Sequence, residues 1–131
     1  PGALLRNRDM RFICKQVHLR VETTASDFAC HFRKGQILQV PIAHGEGNYF
    51  IGDDGLKMLA DNDQIAFRYC GADGAVNDAV NPNGSVANIA GVYNREKTIM
   101  GMMPHPEDAV VPHAGSHQGS PLFQGIMEAL A

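Results

Sequence analysis

Met100-Gly101-Met102-Met103-Pro104-His105-Pro106-Glu107-Asp108 is the stretch that decides how the chain is read. An apolar run ends there in a loop carrying a histidine and, two positions on, a carboxylate. Pro106 has no amide hydrogen and biases the residue before it toward extended backbone, so His105-Pro106-Glu107 does not continue a helix. Extended backbone would put the His105 and Glu107 side chains on one side, where the carboxylate can orient the imidazole. A base steered by a carboxylate is two-thirds of a nucleophilic triad. The plainer alternative is a stiff surface turn with an incidental histidine.

Upstream of this loop, Ile89 to Tyr93 and Thr98 to Met102 are apolar runs joined by Asn94-Arg95-Glu96-Lys97. They read as a hairpin that delivers His105 at the end of its second strand. Gly71 to Gly84, densest at Asn81-Pro82-Asn83-Gly84-Ser85, supplies turn geometry rather than a domain linker. Gln64 to Cys70 is a strand candidate, and Asp53 or Asp54 caps a short helix through Leu56, Met58, Leu59 and Ala60.

Nearer the start, Val17, Leu19 and Val21 alternate with His18, Arg20 and Glu22, a half-exposed strand of an antiparallel sheet. Met10, Phe12 and Cys14 form an earlier apolar set whose phase slips before Val17, so a bulge or tight turn is expected at Lys15-Gln16. Arg6-Asn7-Arg8-Asp9 reads as a polar connection, and Phe28 and Phe32 anchor the polar stretch Thr23 to Phe32. Gln36 to Ala43 is a further strand, in which Pro41 marks an edge or a bulge.

Downstream, Ser120 caps a last helix, Pro121 suits its first turn, and Leu122, Phe123, Ile126, Met127 and Leu130 form one face. Gly125 costs that helix ~1 kcal/mol relative to alanine, so the face must be docked for the helix to hold.

Composition narrows the class. The chain has 131 residues, one domain's worth, with an ordinary apolar share and a net charge of −3. No run approaches the ~20 apolar residues that cross a bilayer, and no signal-peptide pattern opens the chain. Lysines and arginines are scattered, so neither nucleic acid nor an anionic membrane is an expected partner. The 3 cysteines, Cys14, Cys30 and Cys70, are far apart and odd in number. That argues against a disulfide framework or a zinc site and for a reducing cytosol.

A second stretch has a chemical look: Pro41-Ile42-Ala43-His44-Gly45-Glu46-Gly47-Asn48-Tyr49-Phe50. A strand runs into His44-Gly45-Glu46-Gly47, whose glycines let backbone come close to a ligand and offer bare amides. Glu46 and Asn48 could meet the charged ends of a zwitterion; the plain alternative is a solvated glycine-rich turn. His113 and His117 have the spacing of a helical metal pair, but Pro112, Gly115, Gly119 and Pro121 make that segment a loop, and no metal site is expected. His18 reads as solvated. Cys30-His31 reads as incidental, since neighbours on a strand face opposite ways.

Taken together, Gly2-Ala3-Leu4-Leu5-Arg6-Asn7, Arg11 to Cys14, Pro41 to Phe50, Asn83-Gly84-Ser85 with Ile89 to Val92, and Gly101 to Glu107 carry a resemblance. In that order they look like the glutaminase subunits of phosphoribosylformylglycinamidine synthases, class I (triad) glutamine amidotransferases of purine biosynthesis. The resemblance runs nearly end to end. It implies a three-layer α/β fold, of which residues 1–131 supply the carboxy-terminal portion: the later strands, antiparallel hairpins included, and the final helix. It implies His105 as the triad base and Glu107 as its orienting acid, with His44, Gly45, Glu46, Gly47 and Asn48 in the glutamine pocket.

The resemblance further implies glutamine as substrate and ammonia passed to a large ATP-dependent synthetase subunit, bridged in many bacteria by a small third subunit. ATP and magnesium would belong to that partner, with no cofactor in this chain.

Two departures stand out. Asp108 replaces the arginine usual in the family after His105-Pro106-Glu107, placing an extra negative charge near the base. The family's nucleophilic cysteine, in a glycine-flanked elbow upstream of Gly2-Ala3, has no counterpart here. Cys14, Cys30 and Cys70 have bulky neighbours that an elbow does not tolerate. The chain therefore reads as the base-bearing half of a subunit, inactive alone, with an apolar sheet edge and a helix face left for an amino-terminal half to cover. Competing readings are a non-catalytic module that docks to a synthetase, a metal binder using His113, His117 and a cysteine, and a self-contained Cys-His hydrolase.

Overall fold

A computed structural model describes residues 2–111 and 117–131. Its architecture is α/β: a five-stranded sheet, a two-stranded ribbon and two α-helices. The strands are β1 (Ala3–Leu5), β2 (Ile13–Val21), β3 (Ile37–His44), β4 (Asn48–Phe50), β5 (Ile65–Cys70), β6 (Ile89–Tyr93) and β7 (Met100–Met102). The helices are α1 (Asp53–Asp61) and α2 (Ser120–Leu130). The large sheet has the order β3-β2-β5-β6-β7, every neighbouring pair antiparallel, and β1 pairs β4 as a separate antiparallel ribbon.

The long β2–β3 pair runs from Ile13 opposite His44 to Arg20 opposite Ile37 without a register shift. The bulge expected at Lys15-Gln16 is absent. The apolar phase does not slip, because the inward set begins at Ile13, which packs on the core, and continues at Val17, Leu19 and Val21. Cys14 lies on the opposite face, and Met10 and Phe12 are exposed in the turn before the strand. The register breaks instead between β5 and β6, around Phe67.

β3 is an edge strand, as Pro41 requires. The Pro41 carbonyl points away from β2 and accepts from the His105 amide at 2.9 Å. In an antiparallel ladder a residue's N and O face the same way, so the missing Pro41 N–H removes no bond to β2. On the far edge, the Met103 amide, just past β7, donates to the Ala90 carbonyl at 3.1 Å. The sheet thus curls until its two edges meet at the 103–105 segment.

The main core holds Leu19, Ile42, Phe67, Tyr69 and Tyr93 among its buried residues, joined by Phe32 edge-on to Phe67. A second cluster of Tyr49, Ile51, Leu59, Ile65 and Ile89 seats α1 against the ribbon side. Gly52, not an aspartate, caps α1, while Asp53 and Asp54 lie in its first turn where the helix dipole favours them. Likewise Gly119 caps α2, and Ser120 and Pro121 are already helical.

Only two of the five residues of the predicted α2 face are docked, and Phe123 is among the exposed ones. Leu122 is buried and Ile126 packs on the core, whereas Met127 and Leu130 are exposed. Gly125 explains itself here: a Cβ at that position would lie 2.1 Å from the Asp27 carbonyl oxygen, so the helix needs glycine to approach the 27–30 segment. Leu4, Leu5 and Phe50 are exposed on the ribbon, next to an apolar cavity of about 230 Å³ lined by Leu4, Tyr49, Ile89, Gly91, Met102 and Met103. Among the described residues no helix is long and apolar enough to cross a membrane.

Candidate active site

His105 leaves β7 through Met103 and a buried Pro104, pinned by its amide to Pro41 on the opposite sheet edge. Its backbone, at φ −106° and ψ 82°, is neither helical nor fully extended. Pro106–Ala109 forms one turn of 3-10 helix with His105 at its N-cap position. The sequence expectation that both side chains share one face of an extended segment is therefore half right. The chain turns at Pro106, and the turn carries Glu107 back to the imidazole.

His105 Nδ1 donates to Glu107 Oε1 at 2.8 Å. That bond leaves Nε2 as the ring nitrogen without a hydrogen-bond partner among the described residues, with the side chain 36 % exposed. An imidazole held by a carboxylate on one nitrogen and open on the other can take a proton from an incoming nucleophile. Burial works to raise the Glu107 pKa, but the His105 hydrogen bond, a backbone N–H and the His105 charge prevail and hold it below the ordinary value.

His105, Glu107 and Asp108 are also the one group among the described residues whose ligand atoms could converge on a metal, all lying within 4.8 Å of one another. Both carboxylates are exposed, and a metal bound through His105 Nδ1 would have to displace the hydrogen that Nδ1 donates to Glu107. His113 lies outside the described residues, and His117 is exposed.

The 44–48 loop joins β3 to β4. Glu46 is exposed, Asn48 is half-buried, and His44 and Gly47 are buried. The two glycines serve different ends. Gly45 offers its carbonyl to the Asn7 amide at 2.8 Å, while Gly47 makes room: a Cβ there would fall 2.0 Å from His44 Cε1. Burial, more than the nearby charge of His105, lowers the His44 pKa against its own backbone hydrogen bond.

Sequence reasoning passed over Asn7, which is 0 % exposed at the centre of this loop. Its amide nitrogen donates to the carbonyls of Arg11 and His44, each at 2.7 Å. Its oxygen accepts from the Gly47 amide at 2.9 Å and lies 3.3 Å from His44 Nδ1. Its signals were an uncharged polar residue between Arg6 and Arg8 and a place at the end of the Gly2-to-Asn7 stretch that carries the resemblance, neither of which assigns it a role.

None of the three thiols is poised as a nucleophile. Cys70 is buried, and desolvation raises its pKa despite the charge of Arg20. Cys30 Sγ donates to the Asp27 carbonyl at 3.3 Å, and Cys14 sits mid-ladder opposite Ala43.

Known proteins match the chain over nearly its whole length. A family model for the CobB/CobQ-like glutamine amidotransferase domain matches residues 1–122. The phosphoribosylformylglycinamidine synthase subunit PurQ of Rhodospirillum rubrum is 53% identical over 131 residues, 100% of this chain and 57% of that protein. Its counterpart from Aquifex aeolicus is 50% identical over 127 residues, 97% of this chain and 56% of the relative. Among solved structures, that of PurLQS from Thermotoga maritima matches with a TM-score of 0.82 and 40% identity, covering 100% of this chain and 54% of that one. The chain thus spans little more than half the length of these relatives.

Proposed function

The chain belongs to the CobB/CobQ-like glutamine amidotransferase domain family and has the class I glutamine amidotransferase fold, and on that premise we propose that it is the base-bearing, carboxy-terminal part of a glutaminase serving purine biosynthesis. The observation that carries this reading is the 2.8 Å bond from His105 Nδ1 to Glu107, which leaves Nε2 open. In the reaction, a cysteine thiol from a part of the domain beyond these 131 residues gives its proton to His105 Nε2 and attacks the side-chain amide carbon of glutamine. The imidazolium returns that proton to the amide nitrogen, which leaves as ammonia. His105 then draws a proton from water, whose oxygen attacks the thioester and releases glutamate and the thiol. Glu107 holds the ring in its Nδ1–H form and stabilises the cation.

The buried thiol of Cys70 and the engaged thiol of Cys30 support a nucleophile from elsewhere. The exposed Leu4, Leu5 and Phe50, the apolar cavity beside them and the undocked part of the α2 face fit a surface completed by further chain. His44, Gly45, Glu46, Gly47 and Asn48 line the glutamine pocket in this reading. Ammonia passes to a large synthetase subunit that holds ATP and magnesium, with a small bridging subunit, in a reducing cytosol. The same apolar surface would also suit a docking module without chemistry of its own.

One substitution separates the two. His105→Ala in the complete subunit, assembled with its synthetase, should cut glutamine-dependent synthesis by about 10²-fold or more while synthesis from free ammonia persists. Full retention of glutamine-dependent synthesis would overturn the catalytic reading and leave docking.

A further inference from the structure

We propose that Asn7 is a positioning residue that locks His44 as the neutral Nδ1–H tautomer and presents its Nε2 as a bare acceptor. Two backbone carbonyls, those of Arg11 and His44, lie 2.7 Å from one end of the Asn7 amide. Carbonyls only accept, so that end is the NH₂ group, and both its hydrogens are used. The other end faces the Gly47 N–H at 2.9 Å, which only donates, so it is the oxygen. Reversing the amide would set oxygen against two carbonyls and NH₂ against an N–H. The orientation is therefore fixed by three backbone groups whose roles cannot change.

His44 Nδ1 meets that same oxygen at 3.3 Å. Two acceptors would repel there, so Nδ1 carries the hydrogen. Nε2 is buried and has no hydrogen-bond partner among the described residues. A proton on Nε2 would make either a buried unpaired donor or a buried cation, each costly, whereas a lone pair is the cheapest state to leave unmatched. Gly47 completes the device, because any side chain there would overlap the ring.

The test is spectroscopic and needs no activity. In a long-range ¹H–¹⁵N spectrum of the ¹⁵N-labelled chain at neutral pH, His44 should show a protonated Nδ1 and an unprotonated Nε2, the reverse of the form that predominates in free histidine. An Nε2–H or doubly protonated His44 in the unaltered chain would overturn the proposal. Asn7→Ala should shift His44 toward Nε2–H and raise hydrogen exchange at the Gly47 amide by about tenfold. An Asn7→Ala chain that folds and keeps the tautomer population unchanged would overturn it as well; should that variant not fold, the spectrum of the unaltered chain still decides.

Discussion

His105 and His44 stand at the two loops of this site on different footings. His105 is 36 % exposed and bonded to a carboxylate two residues away in the chain. His44 is 7 % exposed and held by an amide 37 residues away. The first pair is local, and solvent screens it, so it adds little to stability and leaves one nitrogen free for chemistry. The second is long-range and buried, so its polar groups must be satisfied if the fold is to hold. One loop holds an open imidazole and the other a packed one, although each carries a histidine beside a glycine- or proline-rich turn.

Changes at the exposed pair should therefore reach activity without reaching stability. Glu107→Gln in the complete, assembled subunit should lower glutamine-dependent turnover by about 10²-fold, while the urea midpoint of the chain moves by less than about 1 kcal/mol equivalent. A stability loss larger than the activity loss would break the contrast.

The buried loop should behave the opposite way. Gly47→Ala forces a methyl into the His44 ring and should destabilise the chain by about 2 kcal/mol in urea denaturation, with far-ultraviolet dichroism of the folded form unchanged. A neutral result would mean that the ring has other places to go, and that the loop is looser than its burial implies.

Acid gives the finest distinction. Burial, aided by the charge of His105, holds His44 below the ordinary value of 6.5, so the folded chain stays neutral there while the unfolded chain takes up a proton. Its contribution is complete above 6.5 and is lost as pH falls from there through the depressed folded value. Glu107, held below 4.5, contributes above that value and loses its share only as pH falls beneath it. Stability measured from neutral pH to about pH 5 should fall less steeply in His44→Gln, and Glu107→Gln should alter the slope only in stronger acid. Equal effects of both variants in the upper window would erase the distinction.

Much of this was legible in the chain itself. Alternation marked the inward face of β2, the Asn94–Lys97 turn marked the β6–β7 hairpin, and Pro41 marked β3 as an edge or a bulge. His105 and Glu107 could be paired because the partners are close in sequence and a proline between them restricts the backbone. The misjudged details were also local. A bulge was inferred from Cys14, when Ile13 holds the phase, and aspartate and serine caps were inferred where glycines stand.

What the sequence could not supply lies in the contacts between distant segments. Asn7 looks like a polar linker residue until the β3–β4 loop closes over it, and Gly125 looks like a weak point of a helix until the Asp27 carbonyl lies against it. Composition, periodicity and turn chemistry are properties of neighbours, and they determined the elements and the His105–Glu107 pair. Burial and the matching of donors to acceptors across tens of residues exist only once the chain is folded, and they decided which histidine is open and which is held.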